Sequence, residues 1–148
     1  MEKLLNESIR TQVRDVFDNQ LKQPVGVLFF GKKDDCDTCA DARQLLEEVT
    51  GLSDKLSLEV YDLDDHADAA QKYHIDKAPG IVFVGNDGDQ MIDYGVRMAG
   101  IPSGHEFSTL IHDMILVSGR DSGLEQKTRD ELKNLTKTVH LQVFVTPT

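Results

Sequence analysis

Both cysteines of the 148-residue chain stand three positions apart, as Cys36-Asp-Thr-Cys39. Two thiols at this spacing can do disulfide exchange: one attacks as a thiolate, and the other resolves the mixed disulfide. They can also supply half of a tetrahedral metal site, or be two buried structural residues. The surrounding pattern favours redox chemistry. An apolar run, Val27 to Phe30, precedes the pair and reads as a buried strand. After it, Cys39, Ala42, Leu45, Leu46 and Val49 recur at helical spacing. The pair therefore stands where a strand turns into a helix, and the free N–H groups and dipole of a first helical turn stabilise a thiolate. Cys36 is expected at the exposed helix start as the attacking sulfur, and Cys39 one turn in as the resolving one. A disulfide across so small a loop adds little to stability, because the entropic effect grows with loop length. Lys32 and Lys33 favour the Cys36 thiolate if they lie close, and Asp34, Asp35 and Asp37 oppose it.

The elements that must hold this pair can be read on either side. Residues 3–21 form an amphipathic helix with Leu5, Ile9, Val13, Val16 and Phe17 on one face, ending before Pro24. A strand over 25–30 and the Cys-x-x-Cys helix over 37–49 follow, with Gly51 as the stop. Leu56 to Leu63 is a second strand, and Asp64 and Asp65 suit the N-cap of a short helix over 66–73. Gly80 to Gly85 is a third, wholly apolar strand. Asn86-Asp87-Gly88 turns the chain into a fourth strand over Gln90 to Val96. Ser103 and Glu106 have capping-box spacing ahead of an apolar stripe, Phe107, Leu110, Ile111, Met114 and Ile115. The order predicts an α/β fold: a right-handed parallel βαβ unit, an added hairpin and helices on both faces, with the site at a strand's carboxyl end. A helix over 121–137 and a strand over 139–146 then repeat the helix-plus-strand plan of Arg10 to Leu28. The expected organisation is a domain over 1–119, with 120–148 as the start of a second unit.

The sequence has 16 basic and 26 acidic residues, a formal charge of −10. That balance argues against nucleic acid and against an anionic membrane surface as partners. The first residues lack the apolar core of a signal peptide, and no run approaches the roughly 18 apolar residues of a membrane span. The expectation is a cytoplasmic protein, where a Cys-x-x-Cys is more often catalytic or metal-binding than structural. The five histidines have no metal-ligand spacing to the cysteines, and strand-end and cap roles explain Asp62, Asp64 and Asp65.

These motifs, in order, resemble the protein disulfide oxidoreductases built from two thioredoxin-fold units, also described as glutaredoxin-like. The resemblance rests on Cys36-Asp-Thr-Cys39, Ile75-Asp-Lys-Ala-Pro79, Tyr94-Gly-Val-Arg97 with Gly100-Ile-Pro102, Gly104-His-Glu-Phe107 and Phe144-Val-Thr-Pro-Thr148. It implies a thioredoxin fold, Cys36 as nucleophile and Cys39 as resolving cysteine. It further implies a cis Ala78–Pro79 bond facing them, with Ala78 and Pro79 binding the substrate chain like an added strand. It implies no bound cofactor beyond the redox-active Cys36–Cys39 disulfide. The implied partners are protein disulfides, a thioredoxin-reductase-like electron donor and a peroxidase. The intervening dipeptide is Asp-Thr where thioredoxins typically have Gly-Pro, and the sequence has no Trp.

The leading expectation is a thiol–disulfide oxidoreductase acting mainly as a reductant. Two alternatives belong to other classes: metal or iron–sulfur binding through Cys36 and Cys39 in a dimer, and a non-catalytic interaction module. The apolar run over 139–146 is expected to pair with the sheet's edge or to join two copies as a homodimer.

Overall fold

The computed structural model describes residues 2–146. Helix α1, Glu7–Gln20, starts where the Asn6 side chain accepts the Ile9 N–H at 2.9 Å, and it buries Val13 and Phe17. Strand β1, Val25–Gly31, is buried along its whole length. It has no polar face because both its faces are covered. Val25, Val27 and Phe29 enter one core with α1 and two later helices, while Leu28 and Phe30 enter a second core beneath a single short helix. Helix α2, Cys39–Thr50, carries the chain over to β2, Leu56–Asp62, which pairs with β1 in parallel. Helix α3, Ala67–Lys72, covers the second core with Ala70, joined there by Tyr73. Strands β3, Gly80–Asn86, and β4, Met91–Ala99, form the antiparallel hairpin, and the sheet order is β2-β1-β3-β4. Helix α4, Glu106–Gly119, returns to the first core with Leu110, Ile111, Met114 and Val117. Each fully buried large side chain contributes about 1.5–3 kcal/mol. The largest of them, Phe17, Phe30, Phe83, Leu28 and Leu46 among them, lie on β1, β3 and the helices packed against these strands.

One buried polar group fixes how the first helix feeds the central strand. Ser118, fully buried on α4, accepts the N–H groups of Lys22 and Gln23 at 2.7 and 3.0 Å and donates to the Gln23 carbonyl at 2.7 Å. The α1–β1 connection is therefore satisfied by a side chain rather than by water.

Several local expectations need correction. Ser103 and Glu106 make no capping box: α4 begins at Glu106 with no side-chain cap. Gly104 there takes a φ of 60°, which turns the chain and carries the Ser103 side chain off the helix axis. Asp64 and Asp65 do not cap α3; instead Asp62 accepts both their N–H groups, at 2.9 and 3.1 Å. The C-terminal helix is shorter than 121–137. Helix α5 is Gln126–Leu132, because Gly123 takes a φ of 70° and keeps the helix from starting earlier. Residues 139–146 form no strand. A strand exists only as part of a ladder, and the four-stranded sheet does not take this segment in. Pro147 and Thr148 of the last motif lie outside the described residues. No helix among the described residues is long and apolar enough to cross a membrane.

Candidate redox site

The sulfur pair is mounted on the end of the central strand. Gly31 closes β1, and a Cβ added there would stand 3.8 Å from the Cys39 sulfur and 2.8 Å from the Phe29 ring. The Phe29 ring therefore excludes a side chain at position 31, while the sulfur lies at ordinary van der Waals distance. The loop then runs through Lys32 to Asp35, whose φ of 55° turns it back toward the sheet; Asp is among the residues that tolerate this conformation. Cys36 and Cys39 are joined as a disulfide with their Cα atoms 5.5 Å apart. The regular helix begins at Cys39, two residues later than expected, so Cys36 stands ahead of the first turn rather than in it. The Cys39 N–H donates to the Cys36 carbonyl at 3.4 Å and closes that turn. Cys39 is buried, at 7% exposure, while Cys36 is half-buried and rests on the edge of the same core. The two cysteines thus differ in exposure in the expected sense.

The Ala78–Pro79 segment arrives at the same end of the sheet. Phe30 pairs with Gly80 across the antiparallel β1–β3 ladder, so Pro79 falls beside Gly31, at the root of the disulfide loop. The Ala78–Pro79 bond is cis. Pro79 is buried and its carbonyl accepts the Gly100 N–H at 2.8 Å, while Ala78 is half-buried and packs, like Cys36, on the first core. Ala78 itself makes no backbone hydrogen bond among the described residues.

The charges near the loop are arranged differently from what the lysines and aspartates suggested. Lys33 pairs with Asp65, whose hydrogen bond and charge push the Lys33 ammonium pKa up, and Lys32 lies 3.9 Å from Asp64. Both lysines therefore point at carboxylates of the loop after β2. Asp62, capping that loop, is held below the usual carboxylate range, first by the Asp65 N–H. Asp34, Asp35 and Asp37 are exposed. Sequence reasoning misses the double pairing, although its signal is there. Once β1 and β2 run parallel with Gly31 opposite Asp62, Lys32-Lys33 and Asp64-Asp65 leave neighbouring strand ends side by side.

No group of three or more His, Cys, Asp or Glu side chains is placed to hold a metal ion among the described residues. His66 accepts the Asp62 N–H on Nδ1 at 3.0 Å and lies edge-on to Tyr61.

The architecture and the placing of the cysteines decide the fold. It is the thioredoxin fold. The chain superposes on a protein disulfide oxidoreductase from Aeropyrum pernix with a TM-score of 0.77 and 28% identity, over 90% of this chain and 57% of that one. It superposes on an alkylhydroperoxide reductase component of Enterococcus faecalis with a TM-score of 0.78 and 27% identity, over 91% of this chain and 62% of that one. In sequence it is 27% identical over 141 residues to an alkyl hydroperoxide reductase component of Pseudomonas aeruginosa, covering 95% of this chain. The thioredoxin-fold chain spans 24% of that protein's length, and 19% of a Bacillus subtilis NADH dehydrogenase to which it is 31% identical. It matches no protein-family model. The resemblance carried by the sequence motifs thus holds: the chain is similar to two-unit disulfide oxidoreductases, and its Cys36–Cys39 disulfide fits their Cys-x-x-Cys redox motif.

Proposed function

We propose that this thioredoxin-fold chain exchanges electrons with protein disulfides through Cys36 and Cys39, mainly as a reductant. In the reduced form the Cys36 thiolate attacks one sulfur of the target disulfide. A Cys36–substrate bond forms, and the first substrate sulfur leaves as a thiolate that takes up a proton. The Cys39 thiol then loses its proton and attacks the Cys36 sulfur, releasing the second substrate thiol and closing the Cys36–Cys39 disulfide. Two electrons and two protons have moved from the protein dithiol to the substrate. The observation that carries this reading is the unequal burial of Cys36 and Cys39 at the carboxyl end of β1. It matches the access that attack and resolution require. Ala78 and Pro79 serve as the docking edge. Their support is the position beside Gly31 and an Ala78 backbone with no hydrogen bond among the described residues, which suit strand addition by an extended substrate.

The cycle needs an electron donor of the thioredoxin-reductase kind to reopen the disulfide, and no bound cofactor takes part in the exchange. The names of the similar proteins support a peroxidase as one physiological acceptor. A reductant of this kind belongs in the cytoplasm, where thiol pools keep it reduced. Reduction of insulin by dithiothreitol tests the reading. The wild-type chain should accelerate it catalytically, and Cys36→Ser should abolish the acceleration. Equal rates for the two would remove the dithiol from the function.

A further inference from the structure

The loop that ends at Pro79 is held at both ends, by the edge strand β4 and by the residue that follows it. At its far end the Gly100 N–H binds the Pro79 carbonyl at 2.8 Å. At its near end Arg97 Nε donates to the Tyr73 carbonyl at 2.9 Å, just before His74 turns the chain with a φ of 56°. The guanidinium is itself immobilised. Its Nη1 and Nη2 donate to the two carboxylate oxygens of Asp93 at 2.9 and 2.8 Å, and it lies 6.0 Å from the centre of the Tyr73 ring. Such a forked pair fixes orientation as well as charge.

This pairing requires an irregular strand. In a regular strand, residues four apart are separated by about 13 Å, too far for an end-on fork. Here Val84 faces Asp93 while the preceding Phe83 faces Val96, so Tyr94 and Gly95 have no partners and the strand bulges. Gly95, with a φ of 78°, donates its N–H to Asp93 Oδ1 at 2.8 Å. The bulge draws Asp93 up to Arg97. Between the two ends the loop is pressed onto β3. The Ile75 N–H binds the Ala70 carbonyl at 2.8 Å, and a Cβ on Gly80 would stand 2.7 Å from Ile75 Cγ2 and 2.9 Å from the Lys77 carbonyl. Bulges of this kind re-aim side chains next to sites.

We propose that Arg97, locked by Asp93 across the bulge, is a positioning residue for protein substrates, holding the loop over 74–79 in the pose that presents the Ala78 backbone. The inference rests on the docking edge proposed above. Arg97 touches neither sulfur in any described contact, so it acts on binding and leaves the chemistry of the disulfide alone.

The test compares Arg97→Met and Arg97→Lys with wild type in full-length chains. Arg97→Met should raise the KM for insulin by about tenfold, the loss expected for a charge-assisted hydrogen bond, with kcat within about twofold. The Cys36–Cys39 potential against glutathione should not move, and amide exchange over 74–79 should quicken. Arg97→Lys, which keeps the charge without the fork, should fall between. If Arg97→Met does not fold, Asp93→Asn must show the same KM-only pattern at smaller size. A KM that does not change, or a shift in the potential, overturns the proposal. A wild-type chain that fails to reduce insulin overturns the redox reading instead. Amide exchange then decides the Arg97 role alone: unchanged exchange over 74–79 in Arg97→Met rejects it.

Discussion

Reduction of the disulfide leaves two sulfurs in unequal surroundings. Cys39 sits in the first turn of α2 at 7% exposure, against the flank of Gly31. Cys36 stands ahead of that turn and half open to water. Reactivity follows the thiolate fraction and access together. In the reduced protein, brief iodoacetamide treatment at neutral pH should therefore label Cys36 well before Cys39, as mapped on alkylated peptides. Preferential labelling of Cys39 would reverse the assigned roles. The lysines that could have strengthened the Cys36 thiolate are engaged elsewhere, Lys33 with Asp65 and Lys32 near Asp64. The helix end therefore remains as the main source of positive potential, opposed by the exposed Asp34, Asp35 and Asp37.

At the scale of elements, α2 does two things at once: its start holds the resolving sulfur and its far face holds the N-terminus. Glu48, with its side chain 12% exposed, accepts the N–H groups of Leu4 and Leu5 at 2.9 and 3.0 Å. Burial pushes its carboxyl up. The Gln44 amide, the Leu4 and Leu5 N–H groups and the Arg10 charge outweigh burial and hold it below its ordinary value. A depressed folded value means that the contribution is complete above the unfolded value of about 4.3 and is lost as pH falls through the folded one. Glu48→Ala should cost about 1–2 kcal/mol in urea unfolding near neutral pH, and the gap from wild type should narrow as pH falls below the unfolded value. A gap that widens on acidification would contradict the assignment.

What the sequence reveals at this scale has a physical pattern. β1 and β3 are legible because both their faces are buried, so they read as unbroken apolar runs. α1 and α4 are legible from one apolar stripe each. The features missed depend on backbone turns that composition does not specify: the left-handed Gly104 that removes the Ser103 cap, the Gly123 that delays α5, and the bulge at Tyr94 and Gly95. The Cys36–Cys39 pairing and the cis Ala78–Pro79 bond are legible from spacing and resemblance. The Arg97–Asp93 pair does not read from the sequence, because nothing in it says that a bulge brings the two together.

At the scale of the whole molecule, the two cores end at Val117 and take in none of the described residues of the C-terminal segment. Leu135, Val139, Leu141, Val143 and Phe144 are all exposed, Leu141 at 88%. We propose that the domain over 1–119 is a folding unit by itself, as the sequence organisation suggests. Deleting residues 121–148 should change the unfolding free energy by no more than about 0.5 kcal/mol, the range of surface changes away from a core. Light scattering on the two forms reports whether the apolar segment also joins copies. A large loss of stability on deletion would show that the segment belongs to the fold.

The burial of β1 has one more consequence. Its end is gripped by β2 through the Gly31–Asp62 pair and by β3 through the Phe30–Gly80 pair, and five residues after Gly31 comes Cys36. The sheet therefore acts as a fixed socket, and the exposed pair Asp37-Thr38 lies outside it. Over generations that pair can be exchanged to retune the sulfur without rebuilding its mounting. A graft of another dipeptide at 37 and 38 starts from a scaffold that already holds both ends.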